Sequence, residues 1–193
     1  VLLEKVAGAK WLSQFYLAGG TSLALQLGHR LSIDFDFFTD KTFSTQKIIQ
    51  HLSKVGKVSI QDESTGTLNL FLDQIKLSFL LYPYPLIHST HDFNQAKLAS
   101  IDDIAAMKLI AIAQRGTKKD FIDMWILLKN GWNLTLIFET LEKKFSKTKY
   151  NKAHLLKSLA YFEDAEGDAE PQMLIPFSWE AAKEDLLKAA LKL

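Results

Sequence analysis

The chain of 193 residues contains no cysteine, which excludes disulfides and thiolate metal sites and fits a reducing compartment. Proline and glycine are sparse, four and nine residues, and nowhere gather with serine into a linker; no internal repeat or low-complexity tract is present. Charge of one sign is not in excess. The 23 Lys and Arg and 22 Asp and Glu leave a formal charge of +1, so no global field favours nucleic acid or a membrane, and any anion-binding surface must be local. Long apolar runs are absent too: residues 68–87, the most apolar stretch, are broken by Asp73, Lys76 and two prolines and do not read as a membrane span. The opening VLLEKVAGAKWL has neither the basic run nor the small-residue cleavage site of a signal peptide. It also lacks an initiator Met, so further residues before it are expected, and a cytoplasmic protein is the default expectation.

What is present is ordinary for a soluble globular protein, with 48% hydrophobic and 23% charged residues. The length suits one domain, or one domain with a helical extension. Residues 1–13 read as a helix, and Phe15 to Ala18 as a short strand stopped by Gly19-Gly20. Thr21 opens a helix that Gly28 ends. Ser32 to Phe38 sets Ile33, Phe35 and Phe37 against Ser32, Asp34 and Asp36, the period-2 alternation of a strand. Ser44 is an N-cap for a helix over 45–55, and strands follow at 57–62, 67–72 and 75–82. Asp73-Gln74 reads as a two-residue hairpin turn, and the Tyr82-Pro83-Tyr84-Pro85 stretch as the end of the sheet. Helices are expected near 102–115, 118–129, 134–146, 151–163 and 178–192. Strands first and helices after predict an α/β (α+β) fold, a mixed sheet flanked by helices, with a core over 1–100 and a helical region over 101–193.

A strand ending in two glycines, followed at once by a helix start, suits phosphate. Glycine lets a ligand approach the backbone closely, the unpaired N–H groups point outward, and the helix dipole favours an anion. Gly19, Gly20, Thr21 and Ser22 are therefore candidate nucleotide-binding residues, although no Walker A lysine and no Rossmann fingerprint follows. Asp34 and Asp36, two positions apart on a strand, share one face. Two neighbouring carboxylates repel and call for a cation, and hard oxygen ligands suit Mg²⁺ or Mn²⁺, which would bridge to substrate phosphates. The alternative is a solvent-facing edge with two solubilising acids.

GGTSLAL followed by GHRLSIDFDFF resembles the AbiEii/AbiGii-type nucleotidyltransferase-like toxins, a branch of the DNA polymerase β-like nucleotidyltransferase superfamily. That superfamily carries a glycine turn at a helix start and an Asp-x-Asp on the next strand. The resemblance extends to Met107-Lys108-Leu109-Ile110-Ala111, to Arg115 with Lys119-Asp120-Phe121-Ile122-Asp123, and to the closing stretch YFEDAEGDAEPQMLIPFSWEAAKED. It implies the nucleotidyltransferase fold and Mg²⁺-dependent transfer of a nucleoside monophosphate from an NTP to an acceptor hydroxyl. The acceptor would be tRNA or another RNA, and the role that of a toxin paired with a cognate antitoxin. It makes Asp34 and Asp36 metal ligands and catalytic groups, gives Lys108 the phosphates or developing charge, and gives Asp120 or Asp123 the base or acceptor. The superfamily's third carboxylate falls at Ser78, whose hydroxyl is a poor general base at neutral pH. That favours a second reading, a weakly active or non-catalytic NTP-binding module.

Residue chemistry leaves several of these roles open. Lys108, the only charge between Ile104 and Ala113, either snorkels to solvent or meets an anion. Thr117 reads as the N-cap of the next helix, with Asp120 completing a capping-box arrangement. Asp123 shares Asp120's helix face among apolar neighbours and needs a partner, which Arg115 or Lys108 could supply. Arg30 is a candidate for phosphate or for an ion pair with Asp34 or Asp36. The histidines 29, 51, 88, 91 and 154 show no metal spacing and read as surface or satisfied core residues. Lys143, Lys144, Lys147, Lys149 and Lys152 form a basic stretch, a solvated helix face or a contact for RNA.

Overall fold

The computed structural model describes Val6 and residues 9–193. The helix expected over residues 1–13 falls largely outside them, and Lys10–Gln14 forms a short 3-10 helix instead. The chain makes two compact units, neither continuous in sequence: residues up to Ser22 with Ser32–Ser100, and Leu23–Leu31 with Ile101–Leu193. The segment 23–31 thus groups with the helical half rather than with the sheet.

The first unit is built on a seven-stranded mixed sheet in the order β3-β4-β5-β2-β1-β7-β6. Its strands are β1 (Tyr16–Ala18), β2 (Phe35–Thr39), β3 (Val58–Ser64), β4 (Thr67–Leu72), β5 (Ile75–Leu81), β6 (His91–Phe93) and β7 (Ala96–Leu98). β2 runs parallel to β5 and antiparallel to β1, while β1 runs parallel to β7. One sheet face buries Leu17, Phe37, Leu68, Leu70, Leu77 and Phe79, packed with Ile48 and Leu52 of a helix over Thr45–Leu52. Phe37 stacks on Phe79 at 5.2 Å and Phe15 meets Phe79 edge-on at 5.4 Å. Burial of each such side chain contributes about 1.5–3 kcal/mol. As expected, Ser44 caps that helix, accepting from the Lys47 amide.

Three strand expectations change. β2 starts at Phe35, so Asp34 precedes the strand, and Ile33 is 68% exposed rather than core. The sheet does not end at Tyr82–Pro85, because β6 and β7 form a further hairpin. Its turn, Asn94-Gln95, and the expected Asp73-Gln74 turn both hold positive φ at their two central residues, the primed geometry that matches strand twist.

α1 (Gly19–Leu27) begins at Gly19, two residues before the expected Thr21. With the Thr45–Leu52 helix as α2, the remaining helices are α3 (Ile101–Gln114), α4 (Lys118–Lys129), α5 (Leu134–Lys144), α6 (Lys152–Leu159), α7 (Glu163–Glu166) and α8 (Trp179–Ala190). The helix expected over 151–163 ends at Leu159 as α6, and a separate short helix, α7, begins at Glu163. In the second unit α4, α5 and α6 pack on α3, and α8 packs on α4 and α6. α3 is apolar around most of its circumference, burying Ile104, Ala105, Ala106, Leu109, Ile110 and Ile112, as a central helix must. Lys144 is not on a solvated face: it is 1% exposed and pairs with buried Asp103 at 2.7 Å. No helix among the described residues is long and apolar enough to cross a membrane.

Candidate functional site

The candidate residues fall into two groups, one in each unit. In the first, β1 hands directly to α1 at Gly19, whose φ of +71° lies in the left-handed region. A Cβ added there would come 3.0 Å from Asp36 Oδ2, so only glycine lets the helix start approach that carboxylate so closely. Gly20 is half-buried beside it. The first-turn amides of α1 have no partners within the helix. Thr21 and Ser22, by contrast, are buried. The Thr21 hydroxyl donates to the Asp34 carbonyl, so at 2.7 Å it accepts from the Ser32 hydroxyl. It ties the start of α1 to the loop that carries Asp34.

Asp34 is exposed and Asp36 half-buried. Asp36 pairs in register with Ala18 on β1 and with Ser78 on β5, so Ser78 stands beside it at the position considered for a third acid. Carboxylate oxygens of this kind are the ligands Mg²⁺ or Mn²⁺ takes, and the space beside Asp36 Oδ2 is kept by the missing Cβ of Gly19. The residues fit such an ion. Among the described residues no group of three or more His, Asp or Glu is placed to hold a metal.

The second group is an ionic network buried among helices. Asp123 on α4 accepts from Arg30 Nε at 2.7 Å, Arg30 Nη2 at 2.9 Å and His29 Nε2 at 2.9 Å, and pairs with Lys108 of α3. Asp120, one turn earlier, receives Lys108 at 2.9 Å, Arg115 Nε at 2.8 Å and the Thr117 hydroxyl at 2.8 Å. Both carboxylates are fully buried. Burial alone would raise their pKa values. The Lys108 charge and the His29 and Arg30 hydrogen bonds instead hold Asp123 well below the usual carboxylate range. Arg115 and Lys108 bring Asp120 down to about 2. For Lys108, burial opposes the charge, yet Asp123 and Asp120 together raise its pKa.

Several expectations are corrected here. Of the two alternatives for Lys108, it is the anion that holds: Lys108 is 4% exposed and bridges two aspartates instead of snorkelling. Arg30 makes an ion pair, but with Asp123 rather than Asp34 or Asp36. Thr117 sits at the N-cap of α4 without a side-chain capping bond, because its hydroxyl goes to the Asp120 carboxylate. The Lys118 amide is capped instead by Asp168 at 2.9 Å. His29 belongs to the network and is only half satisfied, its Nδ1 being buried without a partner among the described residues. Its position between Gly28 and Arg30 was the available signal. The same segment is anchored by a bridge from Arg30 to Met173, by the Leu31 amide to the Gln172 carbonyl and by the Leu174 amide to the His29 carbonyl, the last two at 2.9 Å.

Comparison with known proteins identifies the family and the fold. An uncharacterized protein of Aquifex aeolicus (strain VF5) is 44% identical over 168 residues, 84% of this chain and 81% of that protein. JHP933 from Helicobacter pylori superposes with a TM-score of 0.58 at 20% identity, covering 99% of this chain and 86% of the other. MenT4, a nucleotidyltransferase toxin from Mycobacterium tuberculosis H37Rv, gives a TM-score of 0.57 at 14% identity, covering 93% and 76%. At these identities the two structures establish the fold, a mixed sheet followed by a helical C-terminal region. The family described as nucleotidyl transferase AbiEii toxin, type IV TA system, matches residues 1–192. The chain belongs to the AbiEii family of nucleotidyltransferase toxins of type IV toxin–antitoxin systems.

Proposed function

We propose that this chain transfers a nucleoside monophosphate from an NTP to an acceptor hydroxyl, with RNA (tRNA among the candidates) as acceptor, in a reaction that depends on Mg²⁺ or Mn²⁺. The observation that carries the reading is the approach of the α1 start to Asp36, where Gly19 leaves no side chain between the helix amides and the carboxylate. Gly19, Gly20 and the first-turn amides of α1 would take the triphosphate, with Thr21 and Ser22 shaping the turn from inside. Asp34 and Asp36 would hold the metal, which when bound supplies positive charge to the phosphate oxygens. Catalysis of this kind is mostly positioning and charge neutralisation. Lys108, Asp120, Asp123 and Arg30 enter as positioning residues, since each carboxylate is already surrounded by cationic donors. A cytoplasmic toxin with a cognate antitoxin encoded beside it is consistent with the family.

Labelled NTPs, Mg²⁺ and total RNA, offered to the protein and to its Asp34→Ala and Asp36→Ala variants, test the reading. Incorporation by the parent that both variants lose supports transfer. Ser78 beside Asp36 favours the second reading, a non-catalytic or weakly active NTP-binding module. NTP binding without incorporation into any RNA would select it, and absence of NTP binding would overturn both.

A further inference from the structure

Residues 145–162 carry four lysines, a histidine and no acidic side chain, a run bounded by Glu142 and Glu163. The run forms the α5–α6 connection, α6 and the turn after it, all within the second unit. Buried Phe145 meets Tyr150 edge-on at 5.2 Å, and the Thr148 amide donates to the Phe145 carbonyl at 2.8 Å. The Asn151 side chain then caps α6, accepting from the His154 amide at 3.1 Å. Held at both ends, the connection leaves Lys147 and Lys149 exposed, and α6 adds exposed Lys152 and Lys157. Lys152 Nζ lies 5.2 Å from the centre of the Phe138 ring, which keeps its stem against α5 and its charge at the surface.

Other lysines of this unit are neutralised within the chain: Lys129 pairs with Asp185, Lys183 with Glu166 and Glu180, and Lys188 with Glu184. Among the described residues no carboxylate pairs with Lys147, Lys149, Lys152 or Lys157. Four like charges gathered without counter-charges repel one another, and a polyanion relieves that repulsion. An anionic membrane surface would also need apolar side chains turned outward. On α6, however, Leu155 and Leu159 are buried, and the exposed positions are Lys152, Ala153, His154 and Lys157. Exposed Ser146 and Thr148 alternate with the loop lysines, and their hydroxyls suit phosphate oxygens. We propose that Lys147, Lys149, Lys152 and Lys157 form a surface that holds RNA by its phosphates, without reading base sequence. The proposal rests on the nucleotidyl-transfer reading above for the choice of RNA, and gives the second unit the task of retaining it.

The test is binding of fluorescently labelled total tRNA to the full chain, without NTP, by anisotropy at several KCl concentrations. Each phosphate contact contributes about 0.7–0.9 to the slope of log Kd against log salt. The variant Lys147→Ala/Lys149→Ala/Lys152→Ala/Lys157→Ala is expected to make that slope shallower by about 3 and to raise Kd at least about tenfold at low salt. The loop pair alone, Lys147→Ala/Lys149→Ala, should give about half the change in slope. Lys129→Ala/Lys183→Ala/Lys188→Ala removes charges of the same sign that are already paired, and should raise Kd no more than about threefold. Melting temperatures should stay close to the parental value throughout. An unchanged slope in the first two variants, an equal loss in the third, or a parent that binds no tRNA would each overturn the proposal. So would parental tRNA affinity together with lost binding to phosphatidylglycerol vesicles, which would make the surface a membrane contact. A parent that binds tRNA with the full slope but labels no RNA from NTP would remove the transfer reading and leave this surface standing.

Discussion

Asp123 gathers Arg30, Lys108 and His29 around one fully buried carboxylate. Asp123→Ala would leave these groups buried without their counter-charge, and removal of one partner from such a site costs about 3–5 kcal/mol. Urea denaturation should show that loss as a lower midpoint. Gly19 poses a different problem. Gly19→Ala puts a Cβ at a φ of +71° and 3.0 Å from Asp36 Oδ2, a conformation that costs an L-residue about 1–2 kcal/mol. The expected result is a modest fall in melting temperature and, because the helix start must withdraw from Asp36, at least a tenfold weaker NTP affinity by titration. Asp34, Asp36 and the glycine turn were legible in the sequence because residue type and spacing alone define their chemistry. Lys108, fifteen positions before Asp123, was also within reach of such reasoning as its partner, but Arg30 and His29 were not, since they lie more than ninety positions away and only the fold brings them to α4.

At the scale of elements, alternation and helical period located the long strands and helices within a few residues. They missed β6 and β7 because three-residue strands are too short to show a period, and they extended β2 back through Ile33 because the alternation continues into the loop. β2 starts where neighbouring β1 ends: Ala18 pairs with Asp36 and the chain turns into α1 at Gly19, while the Asp34 carbonyl accepts from the Thr21 hydroxyl. The β6–β7 turn also carries a correctable flaw: Gln95 holds a φ of +68°, a conformation natural to glycine. Gln95→Gly should raise stability by about 1 kcal/mol, visible as a higher melting temperature with NTP binding unchanged. At α4 the capping partner comes from Asp168, and Asp168→Ala should cost about 1 kcal/mol.

Across the whole molecule, charge is distributed unevenly between the units. The core of the first is apolar, whereas the second buries Arg30, Asp103, Lys108, Asp120, Asp123 and Lys144. Asp120, at about 2 in the folded chain against 3.8 for the free side chain, has a depressed pKa. Its contribution is complete above 3.8 and is lost as pH falls toward 2, worth on the order of 2 kcal/mol, with Asp123 acting in the same direction. Lys108, raised above 10.5, contributes fully below that value and loses its contribution as pH climbs past it. Thermal melts should therefore show stability falling at both extremes. Hydrogen exchange at pH 2.5 should find amides of α3 and α4 losing protection before those of β4 and β5. Equal loss in both units would place the acid sensitivity elsewhere.

The residues 23–31, enclosed within the sheet half of the sequence yet belonging with the helical unit, constrain how this protein can be divided or exchanged. A gene cut at codon 100 would yield an amino-terminal product carrying His29 and Arg30 severed from Asp123. Its carboxy-terminal counterpart would hold two aspartates stripped of part of their neutralising shell. Neither product would be a transplantable cassette. Recombination between relatives should therefore succeed when 23–31 and 101–193 come from the same parent, and fail when a single crossover separates them.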